Sequence, residues 1–327
     1  MELLALIVGM LLEQVRPLAP DNPVHARVRR FADWSRQFSD SGRPFDAVLG
    51  WAIVVLGPLL ALAVVARFAA SIGPLVEFAL HVAVIYLCVG FRQFTTSFSA
   101  IQQALERDEF ERADRTLDAW LGKGTANADA ASQPTGPATD EMRTPVQICR
   151  VAIVHALLAS HRQVLAPIVC YLLLPGASGP VLYRLAEMLA RRWVQARTGA
   201  EPDAHATFAA KAYRVIDWIP VRLTAASLAI GGDFEDATYC WRGAIAAGTG
   251  ADTRAMLIAV GSGALGLRLA DPELERRWAG PDRPAFEWSA PEPDVPGLRS
   301  AAGLVWRSTV MFVSLFALLS LSSWIGR

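Results

Sequence analysis

Asp217, Trp218, Pro220 and Arg222 fall within two helical turns in the string DWIPVRLT. A carboxylate and a guanidinium at this spacing, on a helix entered at Pro220, can reach one polar pocket. There they would bind a ligand or pin the helix through a buried ion pair, and the physics of the pair favours the second role. A second group sits within residues 151–189, where His161, Arg162 and Gln163 interrupt an apolar run. Ionisable side chains at membrane depth are costly and are functional candidates by default. A lone histidine in an apolar helix is, however, more often a satisfied hydrogen bonder between helices. His155 and His161 are six residues apart and face different sides of a regular helix, which argues against a shared metal.

Other strings exclude whole classes of chemistry. Gly261, Gly263 and Gly266 match G-x-G-x-x-G, but a dinucleotide site needs a strand before the glycines, a helix after them and an acidic residue beyond. The preceding ADTRAMLIAV reads as helix, so these glycines are expected to permit close helix packing. No G-x-x-x-x-G-K-S/T, H-E-x-x-H or G-x-S-x-G string occurs, which removes the main support for ATPase, zinc-protease and hydrolase readings. Cys88, Cys149, Cys170 and Cys240 are widely separated and read as buried thiols. No metal site or cofactor is evident. The 31 basic and 31 acidic residues balance, so there is no basic field to recruit nucleic acid.

The elements that must hold these groups are apolar. Of 327 residues, 53% are hydrophobic, more than a soluble domain of this length usually carries. A bilayer core about 30 Å thick needs about 20 apolar residues in a spanning helix, and residues 47–66, 72–90 and 304–325 qualify. The short connection at 67–71 makes the first two a transmembrane hairpin. Residues 1–12 are apolar, open with Glu2 rather than a basic stretch, and lack a small-residue cleavage site, so they read as a retained helix. Residues 151–189, broken at Pro175-Gly176, read as a pair of interrupted helices facing protein, because breakers at membrane depth require neighbours that satisfy the freed backbone.

Arginine placement sets orientation. Arg16, Arg27, Arg29, Arg30, Arg36 and Arg43 mark residues 16–46 as a cytoplasmic loop, and Arg191, Arg192 and Arg197 mark another. The last helix then runs outward, leaving the polar mass in the cytoplasm. Phe94, Phe98, Ile101 and Leu105, then Phe110, Ala113, Leu117 and Trp120, recur at helical spacing and predict an amphipathic helix pair. Asp108 and Glu111 have capping-box spacing for the second helix. The pattern EFERA at 109–113 echoes DFEDA at 233–237, too short a match for a duplication. Residues 122–144 read as a flexible loop, and 278–296 as a Pro- and acid-rich tether.

The expected fold is therefore an all-α, polytopic integral membrane protein with amphipathic cytoplasmic helices. Its segments are an N-terminal helix and basic loop (1–46), a transmembrane hairpin (47–90), a cytoplasmic helix pair and linker (91–147), broken membrane helices with the DWIPVRL helix (148–232), a cytoplasmic helical segment (233–303) and a closing transmembrane helix (304–327).

DWIPVRLTAASLAIGGDFEDATYCW resembles the D-W-[VIL]-P-[VA]-R-L stretch of AmpE-like proteins and, in the variant N-W-I-P-A-R-L-T, that of the CobD/CbiB family. The likeness extends through LLEQVRP, FRQF, HRQVLAPIVCYLLLPGASGPVLYRL and the closing helix, and with Asp217 it is nearest to AmpE. AVGSGALGLRLADP is similar to the A-G-A-L-G-[VL]-R-L stretch of CobD/CbiB proteins, which join aminopropanol to adenosylcobyric acid by an amide bond. The acidic E-S-x-x-E-N and N-T-x-D-x-M patterns of those enzymes are replaced here by VHALLASHRQVLAP and LYRLAEMLARRW.

The AmpE resemblance implies a non-enzymatic regulatory or sensory role in a bacterial inner membrane, linked to β-lactamase induction and cell-wall recycling. Its ligand-binding or helix-clamping residues would be His161, Arg162, Asp217, Trp218 and Arg222, with Arg92, Tyr183 and Arg184 in support. Expected partners are the lipid bilayer and either a small molecule, a corrinoid or cell-wall fragment, or a membrane protein. The alternative is a CobD/CbiB-type amide-forming enzyme of cobalamin synthesis. A small transporter would require an inverted repeat, and no convincing one is found.

Overall fold

The computed structural model describes residues 2–16, 22–38, 44–122, 143–174, 176–195, 203–246, 248, 252–271 and 289–325, and every regular element among them is a helix. The chain divides into two compact units. Unit 1 comprises Met1–Arg92, Ala166–Pro220 and Leu315–Arg327, and unit 2 comprises Gln93–Leu165 and Val221–Ser314.

Unit 1 contains α1 (Glu2–Val15), α2 (Pro23–Phe38), α3 (Pro44–Ile72) and α4 (Pro74–Cys88). It also holds α8 (Ala166–Leu173), α9 (Ser178–Gln195) and the first part of α10 (Ala204–Gly231). The expected hairpin is present. Gly73, at φ 152°, separates α3 from α4, and Pro74 opens the second helix at a position where its missing N–H costs nothing. Leu62 of α3 packs against Val84 and Cys88 of α4. These contacts lie at similar distances either side of Gly73, so the arms are antiparallel.

The second arm is shorter than the sequence suggested. At 1.5 Å per residue, the 15 residues of α4 span only about 22 Å, below the roughly 30 Å of a bilayer core. Three described helices are long and apolar enough to cross a membrane: Phe45–Ile72, Pro145–Leu173 and Val295–Ser322. The chain is an all-α membrane protein.

Residues 16–46, expected to be a loop, contain the helix α2. Its Arg36 pairs with Asp203 at 2.6 Å, and its Asp33 accepts two 2.6 Å hydrogen bonds from Arg192 of α9. Arg191 and Arg192, expected in a loop, belong to the last turns of α9. Val28 and Phe31 of α2 lie over a core of Val54, Val55, Leu189 and Trp193. The arginines that signalled topology thus double as clamps for an amphipathic helix.

Unit 2 is built from α5 (Phe91–Glu106, from Gln93), α6 (Phe110–Trp120), α7 (Pro145–Ser160), a π-helical turn (His161–Leu165) and the end of α10. To these it adds α11 (Phe234–Ala246), α12 (Thr253–Leu265) and most of α13 (Val295–Ile325). Phe98, Ile101, Leu105, Ala113 and Leu117 enter a core with Ile148, Leu157, Met256, Leu257 and Val260, as their helical spacing predicted. The side chain of Phe94 lies outside the described residues.

The cap before α6 differs from its sequence signature. Asp108 adopts φ 58°, Glu109 occupies the N-cap, and no side-chain cap bond forms. The true capping box begins α7. Thr144 accepts from the Gln147 N–H at 3.3 Å, Gln147 Oε1 accepts from the Thr144 N–H at 2.9 Å, and Pro145 follows. Arg143, one residue earlier, reaches Asp114 and Asp118 of α6. The loop read at 122–144 falls largely outside the described residues, as do Pro175, Arg197 and most of the tether at 278–296.

The glycine string ends α12 instead of opening a helix. Gly266 takes the left-handed φ 63° of a C-cap, and its N–H and that of Leu267 bond back to Gly263 and Ser262. A Cβ at Gly263 would collide with the backbone of Asp236 in α11, and one at Gly232 with that of Ala264. Absent side chains let α11 and α12 touch backbone to backbone.

Candidate functional site

Polar groups gather separately in each unit. In unit 1, Tyr183 of α9 is fully buried, and its hydroxyl lies 3.0 Å from Oδ1 of Asp217, also fully buried, and 2.9 Å from the hydroxyl of Tyr213. The Tyr183 hydroxyl has one proton, which it donates to the carboxylate, so Tyr213 donates to Tyr183. Tyr213 and Asp217 are four residues apart on α10 and therefore share a face. The chain Tyr213 to Tyr183 to Asp217 carries hydrogen-bond polarisation from a half-buried hydroxyl to a buried carboxyl group.

One turn further along α9, Glu187 is 2% exposed and takes Arg184 at 3.1 Å and Arg191 at 2.8 Å. Two guanidinium groups thus flank one buried carboxyl group. Arg184 also faces His25 of α2, whose pKa burial lowers from 6.5 and the guanidinium lowers further. Nearby in the fold, His81 Nδ1 of α4 meets the Tyr171 hydroxyl of α8 at 2.7 Å, and Tyr171 stacks edge-on against Phe316.

In unit 2, the π-helical turn begins at His161. Such turns insert an extra residue into a helix and are frequent at functional positions, since they re-aim side chains. His161 is fully buried, with Nδ1 2.9 Å from Thr224 Oγ1 of α10. Arg162 is half-buried on the same turn, and Arg222 is half-buried on α10. His155 packs edge-on to Trp120 at 4.3 Å between ring centroids.

The sequence candidates are thus sorted rather than pooled. Tyr183, Arg184 and Asp217 come together in unit 1; His161, Arg162 and Arg222 belong to unit 2. Trp218 is 55% exposed, whereas Asp217 beside it is fully buried, which makes Trp218 a surface aromatic. Arg92 lies in the first turn of α5, and its side chain falls outside the described residues. Pro220 does not open a helix but sits inside the 28-residue α10, so the turn leading into DWIPVRL is already helical.

Sequence reading missed Tyr213, Glu187, Thr224 and Arg254. The four-residue spacings of Tyr213 with Asp217 and of Glu187 with Arg191 were available signals. Thr224 had none, since its partner His161 is remote in sequence, and nothing in the order of residues marks Arg254 as inward. Among the described residues, no three His, Cys, Asp or Glu side chains converge as a metal would require.

Two relatives are described as cobalamin biosynthesis protein CobD. The one from Chromobacterium violaceum is 28% identical over 64% of this chain and 62% of its own length. The one from Stutzerimonas stutzeri is 28% identical over 68% of this chain and 65% of its own. The chain therefore spans just under two thirds of either relative. No solved structure matches. Residues 47–256, which contain both polar clusters, match the family described as regulatory signalling modulator protein AmpE. That match covers well over half of the 327 residues, and the chain belongs to the AmpE family.

Proposed function

We propose that this protein is a non-enzymatic regulatory or sensory component of the bacterial inner membrane. In this reading its polar mass faces the cytoplasm and its buried polar chain responds to a small molecule, a corrinoid or a cell-wall fragment. The AmpE match over residues 47–256 carries the reading. The arginines of α2 support the cytoplasmic side for the segment before α3. The buried Tyr213, Tyr183 and Asp217 suit a sensing role, because a ligand that takes one hydrogen bond repolarises the others.

The test is β-lactamase induction in cells lacking the protein, restored with wild type, Asp217→Asn or Arg222→Ala. Wild type should restore the normal response, and both variants should be impaired at equal membrane abundance. Normal induction in the deleted cells would remove the regulatory reading, and normal restoration by Arg222→Ala would remove that residue from it.

A second reading is favoured by the two CobD relatives: a CobD/CbiB-type enzyme joining an aminopropanol unit to adenosylcobyric acid. Lipid-reconstituted protein incubated with adenosylcobyric acid, aminopropanol phosphate and MgATP would then yield the amide by mass spectrometry. No product beside an active CobD/CbiB control would sink it.

A further inference from the structure

Arg254 stands in the first turn of α12, where Asp252 caps the helix by accepting from its backbone N–H at 3.0 Å. Nη1 of its side chain is sealed from solvent with no hydrogen-bond partner among the described residues. A buried guanidinium donor left unmade costs the full desolvation of that group, more than for a neutral donor.

The packing of α12 explains what faces it. A Cβ at Gly297 would contact both Leu267, just past the end of α12, and Ile153 of α7, so those levels coincide. A Cβ at Gly261 would collide with Leu157 of α7. Moving from 267 to 261 along α12 therefore moves from 153 to 157 along α7, and the helices run antiparallel. Carried on to residue 254, the same register points toward the π-helical turn that holds Arg162.

Electrostatics agree with this geometry. Burial lowers the pKa of Arg254, and repulsion from Arg162 lowers it further. Asp252 and Asp271 attract it but do not reverse the shift. Two like charges and an orphaned inward donor are destabilising in the unliganded protein, and a bound oxyanion would satisfy both.

We propose that Arg162 and Arg254 form an anion site in unit 2 that takes a phosphate group, through charge-assisted hydrogen bonds from both guanidinium groups. Phosphate suits the site because the planar guanidinium groups match its oxygens, and it binds there against the two carboxylates, Asp252 and Asp271, that also act on Arg254. The group could be carried by a lipid headgroup or a soluble phosphoester. The π-helical turn carries Arg162, and such turns are frequent at functional positions. This inference does not rest on the regulatory reading.

The full chain in phosphatidylcholine nanodiscs is melted with inorganic phosphate against chloride of equal ionic strength, and separately with phosphatidic acid replacing part of the lipid. Arg162→Met and Arg254→Met are treated alike. Wild type should melt higher with at least one probe. Free phosphate acting in phosphatidylcholine identifies a soluble source, and phosphatidic acid acting alone identifies a headgroup. Each variant should need about tenfold more of that probe for half the shift, as loss of one charged hydrogen bond implies. Arg254→Met should also melt no lower than wild type without anion, since it removes an unpaired charge. If either variant does not fold, the other reads the same shift. No stabilisation of wild type by either probe, or an unaltered shift in a folded variant, overturns the site.

Discussion

The two units bury their apolar residues differently. Unit 2 turns Phe98, Leu117, Leu157, Met256 and Val260 into one continuous core, and its α11 and α12 approach until backbones touch. Unit 1 has several small apolar clusters, while α3 presents Leu56, Leu60, Val64, Val65 and Phe68 to its surroundings. Its inward positions hold Asp217, Glu187, His81 and Ser35. This is the difference between an apolar helix left to its surroundings, as α3 is, and one enclosed by protein, as α7 is. Where the surroundings are as apolar as leucine, burial of leucine gives no advantage. Helices then associate through close packing and interhelical hydrogen bonds.

The largest expected effect tests that contrast directly. Gly263→Val should force apart α11 and α12 and cost more than about 4 kcal/mol, abolishing most folded protein on size-exclusion in detergent. Leu60→Ala, at a position 67% exposed in unit 1, should change stability by less than about 0.5 kcal/mol. Equal damage from both would break the comparison.

Next in size is Tyr183→Phe, which removes a donor from the buried Asp217 and should cost about 1–3 kcal/mol in a thermal melt. Tyr213→Phe should cost less, because its half-buried hydroxyl ends the chain. A reversed order would assign the anchoring bond to Tyr213.

The smallest effect sharpens unit 1 alone. Burial and the facing Arg184 lower the pKa of His25 below 6.5, so the folded state favours the neutral ring. Below pH 6.5 the unfolded chain takes up a proton before the folded one does, and stability present above that pH is lost as pH falls. Hydrogen exchange in α2 and α9 should therefore rise modestly between pH 6.5 and 5, and His25→Gln should flatten that rise. An unchanged slope in the variant would remove His25 as the cause.

Much of this was readable from residue order. The apolar α3, the apolar closing helix and the amphipathic pair at Phe98 and Leu117 were visible because helical periodicity is a local property, whereas the second arm, expected to span over 72–90, is the shorter α4. The box at Asp108 was misplaced because spacing alone cannot register that Asp108 is already in a left-handed turn. The helix entered at Pro220 was misjudged for a related reason: proline is tolerated inside a helix when the rest of its length is well packed.

By itself the sequence determined the class, a helical membrane protein with ionisable groups set among apolar residues, because hydrophobicity and helical spacing act over a few turns. It also carried the AmpE signature. Only the tertiary structure assigned Tyr183 and Asp217 to one unit and His161 and Arg162 to the other, exposed Trp218, and set Arg254 in the field of Arg162. Those outcomes depend on which helices pack together, and a side chain's partner, charge and dielectric surroundings are set by neighbours distant in the chain.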